Sequence, residues 1–282
     1  VYVADGDQVV LFPRRAVYPQ PVGIISDGVS EAYGVFVDAK SNLYVCNQSG
    51  SVTVYPPGQT SPSFTYSSGL SRPLYAAADS QRLFVGNANG GTIVEYSLGN
   101  AQPNYMLQTP GVETDGLALD DNGNLYAAYR TGNGDTDGGI VVFEQGTGTG
   151  QDLGITLDAP QGLAIDGAGN LIVAQTQEAS NVVAFQPGQT QPFAQTAHID
   201  GAPTGIALNR GEGRLFFSDL AAEVERVRSP SLTNLEQFTV DYTLTAVQGM
   251  ALSPPGMAVP SPSPSSPSAG GALREGPGRR SR

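Results

Sequence analysis

The residues in this chain best suited to chemistry are oxygen-bearing side chains that recur at matching places along its length. Tyr33, Leu74, Asp115, Gln161, Thr204 and Gln248 each open one copy of a short pattern. A second set, Asp5, Asn47, Asn87, Tyr129, Gln175 and Asp219, follows later in each copy, and Arg130 stands beside Tyr129. Carboxylates, amides and hydroxyls are what a hard cation such as Ca²⁺ takes, six to eight oxygens at a time. If a fold gathers both sets, they form a polar funnel. Asp5, Asp115 and Asp219 are then the candidate ligands of Ca²⁺ or another divalent cation. Tyr33, Asn47, Asn87, Tyr129, Arg130, Gln161, Gln175, Thr204 and Gln248 would contact an organic ligand. The alternative is a hydrated channel whose polar groups hold only water.

Two further candidates lie outside these two sets, the first of them expected near the channel mouth. His198, the chain's single histidine, lies just before the pattern that opens at Thr204. Imidazole is the usual general base near neutral pH, so His198 joins Asp115 as a catalytic candidate; the other reading is an exposed loop residue. One histidine does exclude sites that hold a metal with several imidazoles. Asn133, Asp135 and Asp137, with Gly138 and Glu144, follow the spacing of a Ca²⁺ loop. Glu144 falls at the far end of a strand, roughly 15 to 20 Å away at ~3.3 Å per residue. That leaves Asn133, Asp135 and Asp137 as a local site, or as an acidic loop.

The elements that must position these residues are legible from the repeat. Five copies read YGVFVDAKSNLYVCN from Tyr33, LYAAADSQRLFVGN from Leu74, DGLALDDNGNLYAAY from Asp115, QGLAIDGAGNLIVAQ from Gln161 and TGIALNRGEGRLFFSD from Thr204. The sixth is split: QGMALSPPG from Gln248 continues as VYVAD at Val1. Starts fall 41 to 46 residues apart, the period of a four-stranded propeller blade. Each copy holds short runs of Val, Leu, Phe and Tyr bounded by Gly, Asn, Asp and Pro, and none sustains a helical spacing.

The expected fold is an all-β, six-bladed propeller of four-stranded antiparallel blades. The strand around Met250 would complete the blade that begins at Val1 and so close the ring. In that arrangement the first strands line a central channel, where the small residues Ala77, Ala118, Ala164, Ala207 and Ala251 fit. Phe36 breaks this column, either narrowing the channel or packing between blades. Cys46 falls in a column with Gly86, Ala128, Ala174, Ser218 and Ala4, as expected of a buried small residue rather than a reactive thiol.

Composition bounds the rest. Residues 1–259 read as one domain, and residues 260–282, rich in Pro, Ser, Gly and Arg, as a disordered tail. The first 260 residues carry a net charge of −15 and the remainder +3. An acidic body repels nucleic acid, so no such partner is expected. No apolar run is long enough to insert in a membrane, and a monomer is expected. The chain begins at Val1 inside a strand pattern and reads as a mature or trimmed product. Its many Ser, Thr, Gln and Gly residues suit an exported protein, periplasmic, extracellular or surface-associated.

The repeats, a Gly, alternating apolar residues, Asp, then GNLYVx[DN], resemble those of NHL-type propellers and, more distantly, of the senescence-marker-protein/gluconolactonase family, which is also six-bladed. The second resemblance implies a divalent metal at the channel mouth, held by Glu, Asn and Asp, for ester or lactone hydrolysis. Asp115, in TDG, matches that family's Asp-Gly position. Gln161 and Gln248 stand where an Asn-Gly is expected, and no Glu-Gly-Pro opens the first blade. Two functions follow: an exported propeller that binds a small ligand, glycan or protein on its channel face, and alternatively a metal-dependent lactonase or esterase.

Overall fold

A computed structural model describes residues 1–13, 20–132, 137–209, 213–220, 224–228, 231–237, 244–245 and 247–252. Its regular structure is antiparallel β-sheet with one turn of 3-10 helix. Together the strands build an all-β propeller with four-stranded antiparallel blades.

Among the described residues the strands pair into six sheets. One runs Val247–Ala251, Tyr2–Asp5, Gln8–Leu11, Gly23–Ile25, so a strand from late in the chain pairs with the first. The next runs Ala32–Val37, Leu43–Asn47, Ser51–Tyr55, Phe64–Tyr66. The remaining four start from the inner strands Pro73–Ala78, Glu113–Leu119, Pro160–Ile165 and Pro203–Asn209. One sheet has a fifth strand: Gln151–Asp152 and Leu157–Asp158 pair with separate parts of Asp137–Phe143, because the chain breaks at Gly154, whose φ is +69°.

The core lies between sheets rather than within one. Each of six large apolar clusters joins one sheet to the next. Tyr44, Cys46, Val52 and Tyr66, for instance, pack on Leu83, Val85, Val94 and Tyr96 of the following sheet. Val3, Val10 and Met250 pack on Ala207 and Phe216 in the same way. Cys46 is 1% exposed and burial raises its thiol pKa, as the small-residue column predicts. Phe36 lines the channel and also packs against the apolar cluster between its sheet and the next, beside Tyr44 of its own sheet, with ring centroids 5.7 Å apart.

Two letters of the repeat have local causes. The Asp that follows four of the inner strands, Asp38, Asp79, Asp120 and Asp166, builds the turn to the second strand. Asp120 Oδ1 accepts the backbone N–H groups of Asn122 and Asn124, and its Oδ2 accepts Asn124 Nδ2. Asp38 and Asp166 repeat that arrangement with Asn42 and Asn170, an Asx-type turn.

The Gly near the start of the inner strand answers to the neighbouring sheet. A Cβ on Gly34 would lie 2.2 Å from Leu74 O, on Gly116 2.2 Å from Gln161 O, on Gly162 2.4 Å from Thr204 O, and on Gly249 2.4 Å from Tyr33 O. Only glycine lets backbones approach so closely. Every inner strand also shifts register at this point, as between Thr114 and Leu117. Such bulges re-aim side chains, and here Tyr33 and Gln161, each standing before its glycine, meet across the channel.

Gly162→Ala is therefore expected to destabilise the fold by about 1–3 kcal/mol through overpacking. Gly167→Ala, where a Cβ meets nothing within 4 Å, should stay within about 0.5 kcal/mol. Urea denaturation of both variants checks this, and equal midpoints would remove the steric account of the repeat.

Candidate functional site

The face at which the inner strands begin, called upper here, carries both predicted sets of oxygen-bearing residues. The first set does not ring an open mouth. Tyr33 Oη donates to Gln161 Oε1 at 2.6 Å, and Tyr75 Oη donates to the backbone oxygen of Thr204 at 3.2 Å. Each bond joins a sheet to the one three sheets further on, so both cross the channel. The two tyrosine rings meet edge to face, centroids 5.5 Å apart, a favourable aromatic geometry. Burial raises the pKa of both phenols, which keeps them protonated and able to donate.

Tyr75 was not among the expected site residues. It occupies the one copy in which Gly is replaced, and that exception is the signal that could have found it.

Asp115 lies beside this bridge with 0% exposure. Arg130, across the bulge on the second strand, donates through Nε to Asp115 Oδ2 at 3.0 Å and through Nη2 to Oδ1 at 3.4 Å. The same guanidinium meets Glu113 Oε2 at 2.7 Å. Glu113, paired directly with Arg130 in the sheet register, is a second participant that the sequence pattern did not single out. Burial pushes the Asp115 carboxyl up to about 7; Arg130 pulls it down, and Glu113, sharing that cation, raises it again. Thr204, with 0% exposure, lies 3.3 Å from Ser218 Oγ. Gln248 is half-buried.

Members of the second set tie down the loops that lead into the inner strands. Asn47 Oδ1 accepts the N–H of Ser30, Asn87 Oδ1 that of Ser71, and Gln175 Oε1 that of Asp158, at 2.8 to 2.9 Å. Asp5 Oδ1 accepts the N–H and hydroxyl of Thr245, and its Oδ2 accepts Gln8 Nε2. Tyr129 Oη donates to Asp152. Asp219, 2% exposed, packs against Gly201. Several residues of the expected polar funnel thus hydrogen-bond within the protein. Buried polar groups need internal partners, and here each set satisfies the backbone or the other.

The three carboxylates expected to hold a divalent cation each have neighbours of their own within the protein. Asp115 faces Arg130, Asp5 faces Thr245 and Gln8, and Asp219 faces Gly201. Among the described residues no three His, Cys, Asp or Glu side chains are gathered for a metal. His198 is 61% exposed in its side chain, with Asp200 at 4.0 Å and the oxygen of Ala179 as neighbours, and so is not placed with Asp115. Of the alternative loop site, Asn133 and Asp135 lie outside the described residues; Asp137 is exposed at the start of a strand and its backbone oxygen accepts the Thr131 N–H.

Known folds agree with this architecture. A chain of the nidogen/laminin complex superposes with a TM-score of 0.73 at 16% identity, covering 89% of this chain and 96% of that one. The fold is a β-propeller. Kuenenia stuttgartiensis hydrazine synthase also resembles it, with a TM-score of 0.60 at 14% identity over 79% of this chain and 70% of that one. At such identities the likeness speaks to fold alone. No protein-family profile and no curated protein matches the sequence.

The Asp115 cluster carries a pH signature. A carboxyl near 7 in the folded state and ~3.9 when unfolded binds its proton more tightly in the fold. Its contribution to stability is therefore present below about pH 4 and is lost as pH rises toward 7. Asp115→Asn removes that loss, so the melting temperature of the variant minus that of the parent should become more positive from pH 5 to pH 8. A pH-independent difference in calorimetry would contradict it.

Proposed function

We propose that this chain is a non-enzymatic binding propeller that recognises a protein partner across its upper face. The bridged channel mouth is the observation that carries this reading. With Tyr33 bonded to Gln161 and Tyr75 to Thr204, Asp115 has no exposed surface, and the side chains suited to a small substrate are occupied within the protein. Small-molecule sites are concave, whereas a filled mouth offers a continuous surface of the kind macromolecules dock on. Val112 and Leu220, 41% and 54% exposed beside the strand ends of that face, are the apolar side chains a partner would cover. One similar fold was solved within a nidogen/laminin complex, which is compatible with such a role.

The lactonase-type alternative needs Asp115 reachable and a cation beside it. Assays with a panel of esters and lactones, with and without added Ca²⁺, Mg²⁺, Mn²⁺ or Zn²⁺, are expected to give no turnover above the blank. Turnover abolished both by a chelator and by Asp115→Asn would overturn the binding reading. A partner that binds a Val112→Glu, Leu220→Glu double variant as tightly as the parent would remove the upper face from it.

The same reading treats the six sheets as six blades of one closed, NHL-like ring in a monomeric, exported protein. Its support is the pairing of Val247–Ala251 with Tyr2–Asp5, and the packing of that strand against both neighbouring inner strands. No helix among the described residues is long and apolar enough to cross a membrane. An open ring would leave unpaired strand edges. A chain ended before Val247 is accordingly expected to lose its cooperative melt or to oligomerise; one that stayed monomeric with an unchanged melting curve would count against closure.

A further inference from the structure

Asparagine is followed by glycine at Asn89-Gly90, Asn122-Gly123 and Asn133-Gly134. With no Cβ on the second residue, its backbone nitrogen can approach the asparagine side-chain carbon with the least hindrance. The last pair lies outside the described residues. Asn89 and Asn122 are both exposed, so access to water does not separate them.

Backbone hydrogen bonding does. The Gly123 N–H donates to Asp120 O at 3.1 Å, the Asn122 N–H donates to Asp120 Oδ1 at 2.9 Å, and Asn122 O accepts Gln145 Nε2 at 3.0 Å. That turn is pinned, and the glycine proton is engaged. At the other turn the anchors stand to either side. The Ala88 N–H donates to Arg72 O, Gly90 O accepts Gln108 Nε2, and Gly91 O accepts the Thr109 N–H. Between them the Gly90 N–H has no hydrogen-bond partner among the described residues. A Cβ on Gly90 would meet nothing within 4 Å, so this nitrogen lies open to solvent. The Asn89 side chain makes one bond, from Nδ2 to Ser71 Oγ at 3.1 Å, on the loop that leads into Pro73–Ala78.

We propose that Asn89 is a site of spontaneous covalent modification, converted through a succinimide to aspartate and isoaspartate, while the fold protects Asn122. Base takes the Gly90 amide proton, and the nitrogen attacks Asn89 Cγ. The N–Cγ bond forms, the Cγ–Nδ2 bond breaks, and Nδ2 takes up a proton and leaves as ammonia. Water then opens the ring at either carbonyl. One water enters, one ammonia leaves, and nothing is oxidised or reduced.

The product places a new negative charge on the upper face and removes the donor that Asn89 gives Ser71. Isoaspartate also lengthens the backbone by one carbon just before Gly91, which is fixed: a Cβ there would lie 2.1 Å from Gly111 O. The added length must bulge outward from that face. Neither step depends on what the upper face binds.

The test is to incubate the full chain in ¹⁸O-labelled water at pH 8 and map its peptides over time by tandem mass spectrometry, the label marking residues formed during incubation. Asn89 is expected to react about two- to tenfold faster than Asn122, the factor that one net hydrogen bond supplies. The rate should rise with pH, because the attacking nitrogen must first lose its proton. The gap should close when the chain is unfolded in urea, and Asn89→Gln should leave the Asn122 rate unchanged. Equal rates in the folded chain would overturn the proposal. A gap that persists in urea would assign the difference to neighbouring residues and overturn it too, as would aspartate formed without isoaspartate, which marks direct hydrolysis and no ring.

Discussion

The approach of one backbone to the next at the inner strands sets the terms for the rest of this protein. At Gly34, Gly116, Gly162 and Gly249 a single added carbon would collide with the carbonyl of the neighbouring sheet. Sheets packed that tightly at the axis leave a narrow channel. The bulge that brings the glycine in also swings the preceding side chain toward the axis. Tyr33, Asp115, Gln161 and Thr204, which stand before a glycine, accordingly find partners inside the protein.

That constraint explains how the polar residues are used. Tyr33 and Gln161 stand on sheets far apart in the chain and meet because both are aimed inward. Tyr75 holds the position of a missing glycine and spans to a backbone oxygen on another sheet. Asp115, too short to cross, is met by Arg130 from its own sheet, and Glu113 shares the cation. Two carboxylates and one guanidinium in a buried place leave a charge imbalance, which is why burial and Glu113 outweigh the ion pair in raising Asp115. The resulting layer ties inner strands of different sheets together across the channel.

Much of the architecture was legible in the repeat, because strand letters, Asx-turn letters and glycines report local geometry. The turns at Asp38, Asp120 and Asp166, the small column at Cys46 and the pairing of the last strand with the first all follow from it. The site was less legible. Asn47, Asn87, Gln175 and Asp5 have the chemistry of ligand-binding residues, but the same oxygens hold loop N–H groups. A hydrogen-bond acceptor looks alike in sequence whether its donor is a substrate or a backbone amide. Tyr75 and Glu113 were hidden for the complementary reason: neither sits at a repeated polar position.

The sequence by itself determined the blade, its turns and the positions whose side chains face the axis, since these depend on neighbours a few residues away. Only the tertiary structure decided that those side chains face one another instead of solvent. That outcome depends on how close the sheets come at the axis, a distance set by backbone contacts between segments some forty residues apart or more.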